Sequence, residues 1–158
     1  MTESSATART RAREFTITRV FDAPRELVFK TWTEPEQVAC WFGPRGFTTP
    51  LSTITMDVRP GGAWRACMIR DDDGTEYPTG GVYREVVEPE RLVFTWGIAE
   101  GSGVVKDESV VTITFADLGG KTKMTFTQAG FSSDDERTSV EDGWTQSIDR
   151  LASHLTQS

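Results

Sequence analysis

Histidine is almost missing from this chain: His154 stands alone among 158 residues. One imidazole cannot build a histidine metal cluster. No serine or cysteine is placed to couple with it as a nucleophile, so His154 reads as a cation at a helix end. Cysteine is scarce too. Cys40 and Cys67 show neither CxxC spacing nor neighbouring ligands, and they read as reduced, buried thiols of a cytoplasmic protein rather than as a disulfide. Long apolar runs are lacking; the longest, Val38-Ala39-Cys40-Trp41-Phe42, falls far short of a membrane span. Basic residues are outnumbered, 17 Lys and Arg against 24 Asp and Glu for a net charge of −7, which argues against a nucleic-acid or anionic-membrane surface. There is no Gly-rich phosphate loop, nucleophile elbow or zinc set, so no cofactor, metal or catalytic residue is expected. Met1 to Arg13 is Ser/Thr/Ala-rich and carries Arg9, Arg11 and Arg13 without an apolar signal core. Residues 1–14 therefore read as a flexible tail before a single domain over 15–158.

What is present is organised around the last stretch. Ser133-Asp134-Asp135-Glu136 has the form of a capping box, and its acids suit the positive end of a helix dipole. Val140, Trp144, Ile148, Leu151 and Leu155 follow at steps of four, four, three and four. On a helix they span an arc of roughly 80°, a single apolar stripe on a polar cylinder. A helix so one-sided needs a broad apolar partner, and the rest of the chain supplies a sheet.

Phe15 to Phe21 alternates and predicts a first strand with Phe15, Ile17 and Phe21 inward. Pro24 opens a short helix to about Trp32, and Thr33-Glu34-Pro35-Glu36 reads as a capping box for a second, to about Trp41. Gly43-Pro44-Arg45-Gly46 ends the helical part. Phe47–Val58, Ala63–Arg70, Gly80–Val87, Leu92–Ile98, Glu108–Phe115 and Lys121–Gln128 then read as six strands joined by tight turns, an antiparallel meander. Asp71-Asp72-Asp73-Gly74 lacks calcium-loop spacing and reads as a solvated hairpin tip. Asp57, Glu76, Glu85 and Asp107 could pair as carboxylates, but strand charges ordinarily face water.

Several stretches carry a family resemblance. Phe21-Asp-Ala-Pro-Arg-Glu-Leu-Val-Phe-Lys-Thr-Trp32, Thr33-Glu-Pro-Glu36 and Trp41-Phe42-Gly43-Pro44 resemble the bacterial proteins related to the C-terminal domain of the Hsp90 ATPase activator Aha1. Arg59-Pro-Gly-Gly62, Tyr83-Arg-Glu-Val-Val-Glu-Pro-Glu-Arg-Leu92, Thr95-Trp96 and Gly143-Trp144 look like the same family's other marks. The resemblance spans residues 15 to 156 and implies an α+β helix-grip fold of the START/Bet v 1-like superfamily. In that fold a curved, antiparallel seven-stranded sheet surrounds the long C-terminal helix, with two short helices between strands 1 and 2. Curvature and a cavity beneath the helix follow only from the resemblance.

Trp32, Trp41, Trp64, Trp96 and Trp144 put a tryptophan on nearly every element expected to face inward. Gly143 and Ser147 flank Trp144 with small side chains, which either admit another element or leave space. The expected ligand-binding residues are Trp64, Met68, Tyr83, Phe94, Trp96, Met124, Phe126, Trp144 and Ser147. Methionine suits a pocket that repacks around a guest. The expected function is enclosure of a small, mostly apolar molecule such as a lipid, polyketide or aromatic metabolite. Two alternatives stay open. One is a chaperone cofactor acting through protein contacts, against which stands the separate chaperone-engaging domain of Aha1 proper, which residues 1–14 cannot replace. The other is a cyclase- or hydrolase-like enzyme using the same cavity.

Overall fold

Alternation of large apolar and threonine side chains makes β1 (Glu14–Phe21) an amphipathic strand, with Phe15 and Phe21 buried. The computed structural model describes residues 13–99 and 105–156, so most of the expected N-terminal tail lies outside the described residues. Helix α1 (Arg25–Thr33) begins after Pro24, whose carbonyl accepts the first helical N–H groups. Helix α2 (Pro35–Trp41) follows with Pro35 in its first turn. The capping box expected at Thr33 does not form. Thr33 is still the last residue of α1, where its hydroxyl donates to the Phe29 carbonyl at 3.2 Å, and Glu34 takes the N-cap without a side-chain bond.

The strand expected over Phe47–Val58 is also broken. Pro50 has no N–H to give a ladder, and the segment becomes β2 (Phe47–Thr48), a single 3₁₀ turn (Leu51–Thr53) and β3 (Thr55–Met56). Both short strands pair with β4 (Ala63–Arg70). The meander then runs through β5 (Glu76–Val87), β6 (Arg91–Ala99), β7 (Val105–Asp117) and β8 (Thr122–Ala129), and β8 pairs with β1. The sheet order is β1-β8-β7-β6-β5-β4-β2, with β3 also on β4, so two short pieces fill the place of one expected strand.

Register irregularities fall between Tyr83 and Glu85 and between Trp96 and Ile98. Such bulges bend strands and sharpen twist. Gly81 sits beside the first of them: a Cβ there would lie 1.8 Å from the Thr95 carbonyl oxygen. That carbonyl accepts the Trp64 indole N–H at 3.0 Å, and the Thr95 hydroxyl accepts the Val82 N–H at 2.8 Å.

Helix α3 (Asp134–Thr156) lies against the concave face, and its 23 residues reach about 34 Å. Ser133 caps it, accepting the Glu136 N–H at 3.1 Å, while the Glu136 carboxylate takes the Ser132 N–H at 3.0 Å rather than that of Ser133. Trp144, Ile148 and Leu151 are buried against the sheet and the two short helices. At roughly 25 cal/mol per Å², burial of side chains this size supplies several kcal/mol of the force holding α3 in place.

Candidate ligand-binding cleft

The site begins with an aromatic chain that runs from α3 into the sheet. Trp144 tilts against Phe126 at a centroid separation of 4.7 Å, stacks on Trp32 at 5.8 Å and meets Phe42 edge-on at 5.6 Å. Phe42 continues to Trp64 at 6.2 Å, and Trp64 to Phe94 at 5.7 Å. These are the offset and T-shaped arrangements that ring quadrupoles favour.

Phe42 borders two spaces left in this packing. The inner void, about 30 Å³, is walled by Trp41, Trp64, Tyr83 and Phe94 among others. The outer cleft is larger, about 170 Å³, and lies between the first half of α3, the Phe42-Gly43-Pro44 segment, Met68 of β4 and Trp96 of β6. Its α3 wall is Ser139, Val140, Gly143, Trp144 and Ser147. That volume matches the roughly 150 Å³ apolar cavities known to hold benzene.

Of the nine expected residues, Met68, Trp96, Trp144 and Ser147 meet at the outer cleft, while Trp64, Tyr83 and Phe94 wall the inner void. Met124 and Phe126 line neither; both are fully buried in the packed core. Sequence reasoning passed over Phe42, Gly43, Pro44, Ser139 and Val140. Val140 stands one turn before Trp144 on the stripe, and its spacing could have placed it. Phe42 follows the last residue of α2, where no periodicity assigns a face.

The roof of the cleft is tied down by α3. Arg150 Nη1 donates to the carbonyls of Gly43 (2.8 Å), Phe47 (3.2 Å) and Pro44 (3.3 Å). Gln146 accepts the Arg45 N–H at 3.0 Å, and Asp149 pairs with Arg45 at 3.5 Å and with Arg19 of β1 at 2.9 Å. Further along, His154 Nε2 lies 2.6 Å from Gln37 Oε1, so this lone histidine joins α3 to α2.

Two of the four candidate strand carboxylates have basic partners, and the side chain of Asp107 lies outside the described residues. Asp57 pairs with Arg59 at 2.9 Å and Glu85 with Arg91 at 3.1 Å, so these carboxylates meet guanidinium groups rather than each other. The turn at Asp71–Asp73 is exposed, and the Thr75 N–H donated to Asp73 holds that carboxyl below its ordinary range. Burial, and secondarily the charge of Asp57, pushes the Tyr83 hydroxyl well above the ordinary tyrosine range. Both cysteines are free, but neither is buried. Cys40 points away from the side of α2 that buries Val38 and Trp41, and Cys67 alternates outward from Ala66 and Met68. Partial desolvation, and secondarily the Glu76 charge, push the Cys67 thiol above its ordinary range. Among the described residues no three His, Cys, Asp or Glu side chains gather as a metal site, and no helix is long and apolar enough to cross a membrane.

A long helix gripped by a curved antiparallel sheet, with an apolar cleft between them, defines a helix-grip protein. The chain belongs to the family described as activator of Hsp90 ATPase homolog 1-like proteins, whose model matches residues 22–156. Among solved structures it is similar to protein CV1439 from Chromobacterium violaceum, at 27% identity and TM-score 0.80 over 90% of this chain and 96% of that one. It is similar as well to a protein from Arthrobacter aurescens, at 25% identity and TM-score 0.82 over 94% and 89% of the two chains. An AHSA1 protein from Silicibacter pomeroyi, 24% identical, shares the fold with TM-score 0.82 over 91% and 98%. These bacterial neighbours are consistent with the Bet v 1-like superfamily. No curated protein matches the chain.

Proposed function

We propose that this protein binds a small, mostly apolar molecule in the outer cleft, between the first half of α3 and strands β4 and β6. The observation that carries the reading is the cleft itself: about 170 Å³ left open beside Trp96, Trp144 and Met68, in a molecule that otherwise packs its aromatic rings in contact. Small residues keep it open from the helix side, since Gly143 has open space where a Cβ would stand and Ser147 is 3% exposed yet lines the cleft. The superfamily is commonly a ligand-binding one, which supports the same reading.

Co-regulation of a chaperone ATPase has the family description behind it. The two readings part on whether a small guest enters. Native mass spectrometry of the purified protein, followed by tryptophan fluorescence titration with apolar aromatic probes, separates them. A co-purified small molecule, or saturable quenching at one probe per chain, is expected from cleft binding because the guest sits against Trp96 and Trp144. Failure of every probe to bind would transfer the assignment to protein contacts.

A further inference from the structure

Phe42 is common to the walls of the outer cleft and the inner void, whose other lining residues differ. It is the divider between the two spaces, and both its backbone and its ring are held. As the residue that ends α2, it donates its backbone N–H to the Val38 carbonyl at 2.9 Å. Its own carbonyl accepts the hydroxyl of the buried Thr49 at 2.8 Å. The next carbonyl, that of Gly43, is bound by Arg150. The ring stands edge-on to three indoles, Trp41 at 5.9 Å, Trp64 at 6.2 Å and Trp144 at 5.6 Å. A ring packed in this way, on a backbone whose polar groups are both bonded, is a wall and not a flap.

The volumes on its two sides decide what this wall does. The cleft side offers about 170 Å³, which suits one ring or two fused rings. That is below the roughly 300–1,000 Å³ of sites that enclose drug-sized molecules. The far side holds about 30 Å³, the share of one water molecule, and admits no ring. A guest longer than the cleft must therefore push Phe42 off its three indoles or leave its own far end in water. We propose that Phe42 sets guest length, so that the cleft selects compact aromatic or alicyclic molecules of one or two rings and rejects elongated ones, long acyl chains among them. The proposal rests on the cleft-binding reading and deepens it.

The test titrates the full chain with 2-methylnaphthalene and 2-phenylnaphthalene, which share one bicyclic anchor and differ in length, and follows tryptophan fluorescence. Burial alone favours the larger probe. Wild-type protein should instead bind the methyl probe at least about fivefold tighter, the lower end of an overpacking cost. Equal affinities, or a preference for the phenyl probe, would overturn the length limit while leaving an apolar cleft, whereas no binding of either probe would overturn the cleft reading beneath it. In Phe42→Ala the phenyl of the guest can take the vacated place, as benzene enters an engineered cavity, so the preference should reverse. Phe42→Leu loses less volume, which keeps the proposal testable if the alanine variant does not fold, and it should bring the ratio below about twofold. Met68→Ala enlarges the cleft on a wall that the inner void does not share and should keep the methyl preference. A wild-type ratio retained in a folded Phe42 variant, or a reversal in Met68→Ala as well, would overturn the assignment to Phe42.

Discussion

At the scale of single residues, Trp144 binds the aromatic chain together: it touches Trp32, Phe42 and Phe126 and is 4% exposed. Trp144→Ala should cost about 3–5 kcal/mol in denaturant melts, the range for large core truncations; a loss under about 1 kcal/mol would contradict its burial between α3 and the sheet. Gly81 is constrained in the opposite sense, by lack of room. A methyl there meets backbone of the neighbouring strand at 1.8 Å, not the yielding end of a side chain. Gly81→Ala should therefore cost about 1–3 kcal/mol or more by the same assay. Tyr83 gives a pH signature. Its folded-state pKa is raised by burial, so the stability linked to it is complete below the ordinary tyrosine value near 10 and falls as pH rises beyond it. Each pH unit above that value should remove about 1.4 kcal/mol until the folded-state value is reached. Tyr83→Phe should flatten this alkaline loss in melts between pH 9 and 11.5, roughly the span in which unfolded tyrosine titrates; an identical slope in the variant would show that Tyr83 does not cause it.

At the scale of elements, the segment from Phe42 to Phe47 is a roof held by α3. Arg150 donates to three of its carbonyls through one nitrogen, while Gln146, one turn earlier, and Asp149, the preceding residue, hold Arg45. Arg150→Met keeps much of the stem and removes the donors. It should cost about 1.5–3 kcal/mol, as hydrogen bonds to a charged group do, and should weaken probe binding because Phe42, Gly43 and Pro44 lose their fixed positions. Full probe affinity in the variant would show that the roof holds without its strap. This strap was not legible in the sequence, since Arg150 is one more charge on the polar side of a stripe. The stripe itself was legible, because Val140, Trp144, Ile148, Leu151 and Leu155 keep helical spacing along α3 from its second turn onward. Most strands were legible for a like reason, with Ala63–Arg70 found to the residue. Where local chemistry outweighed the pattern, reading failed. Pro50 divided one expected strand into β2 and β3, and alternation from Ala66 should have placed Cys67 outside.

At the scale of the whole molecule, alternation tells which face a residue takes but not whether the space before it is filled. Met124 and Trp96 both read as inward, yet Met124 is fully buried in the core while Trp96 borders a cleft. The difference arises where bulged strands, α3 and the Phe42 roof come together, and no single stretch encodes it. Gly143 and Ser147 were the local hint, two small side chains beside Trp144. The central claim is that the space beside Ser147 is a binding site rather than a packing defect. Ser147→Phe tests it most directly, by placing a ring into about 170 Å³ of open volume. Titrated with 2-methylnaphthalene beside the wild type, the variant should melt at or above the wild-type temperature and bind at least about tenfold more weakly. A folded variant that binds the probe as tightly as wild type would contradict the account.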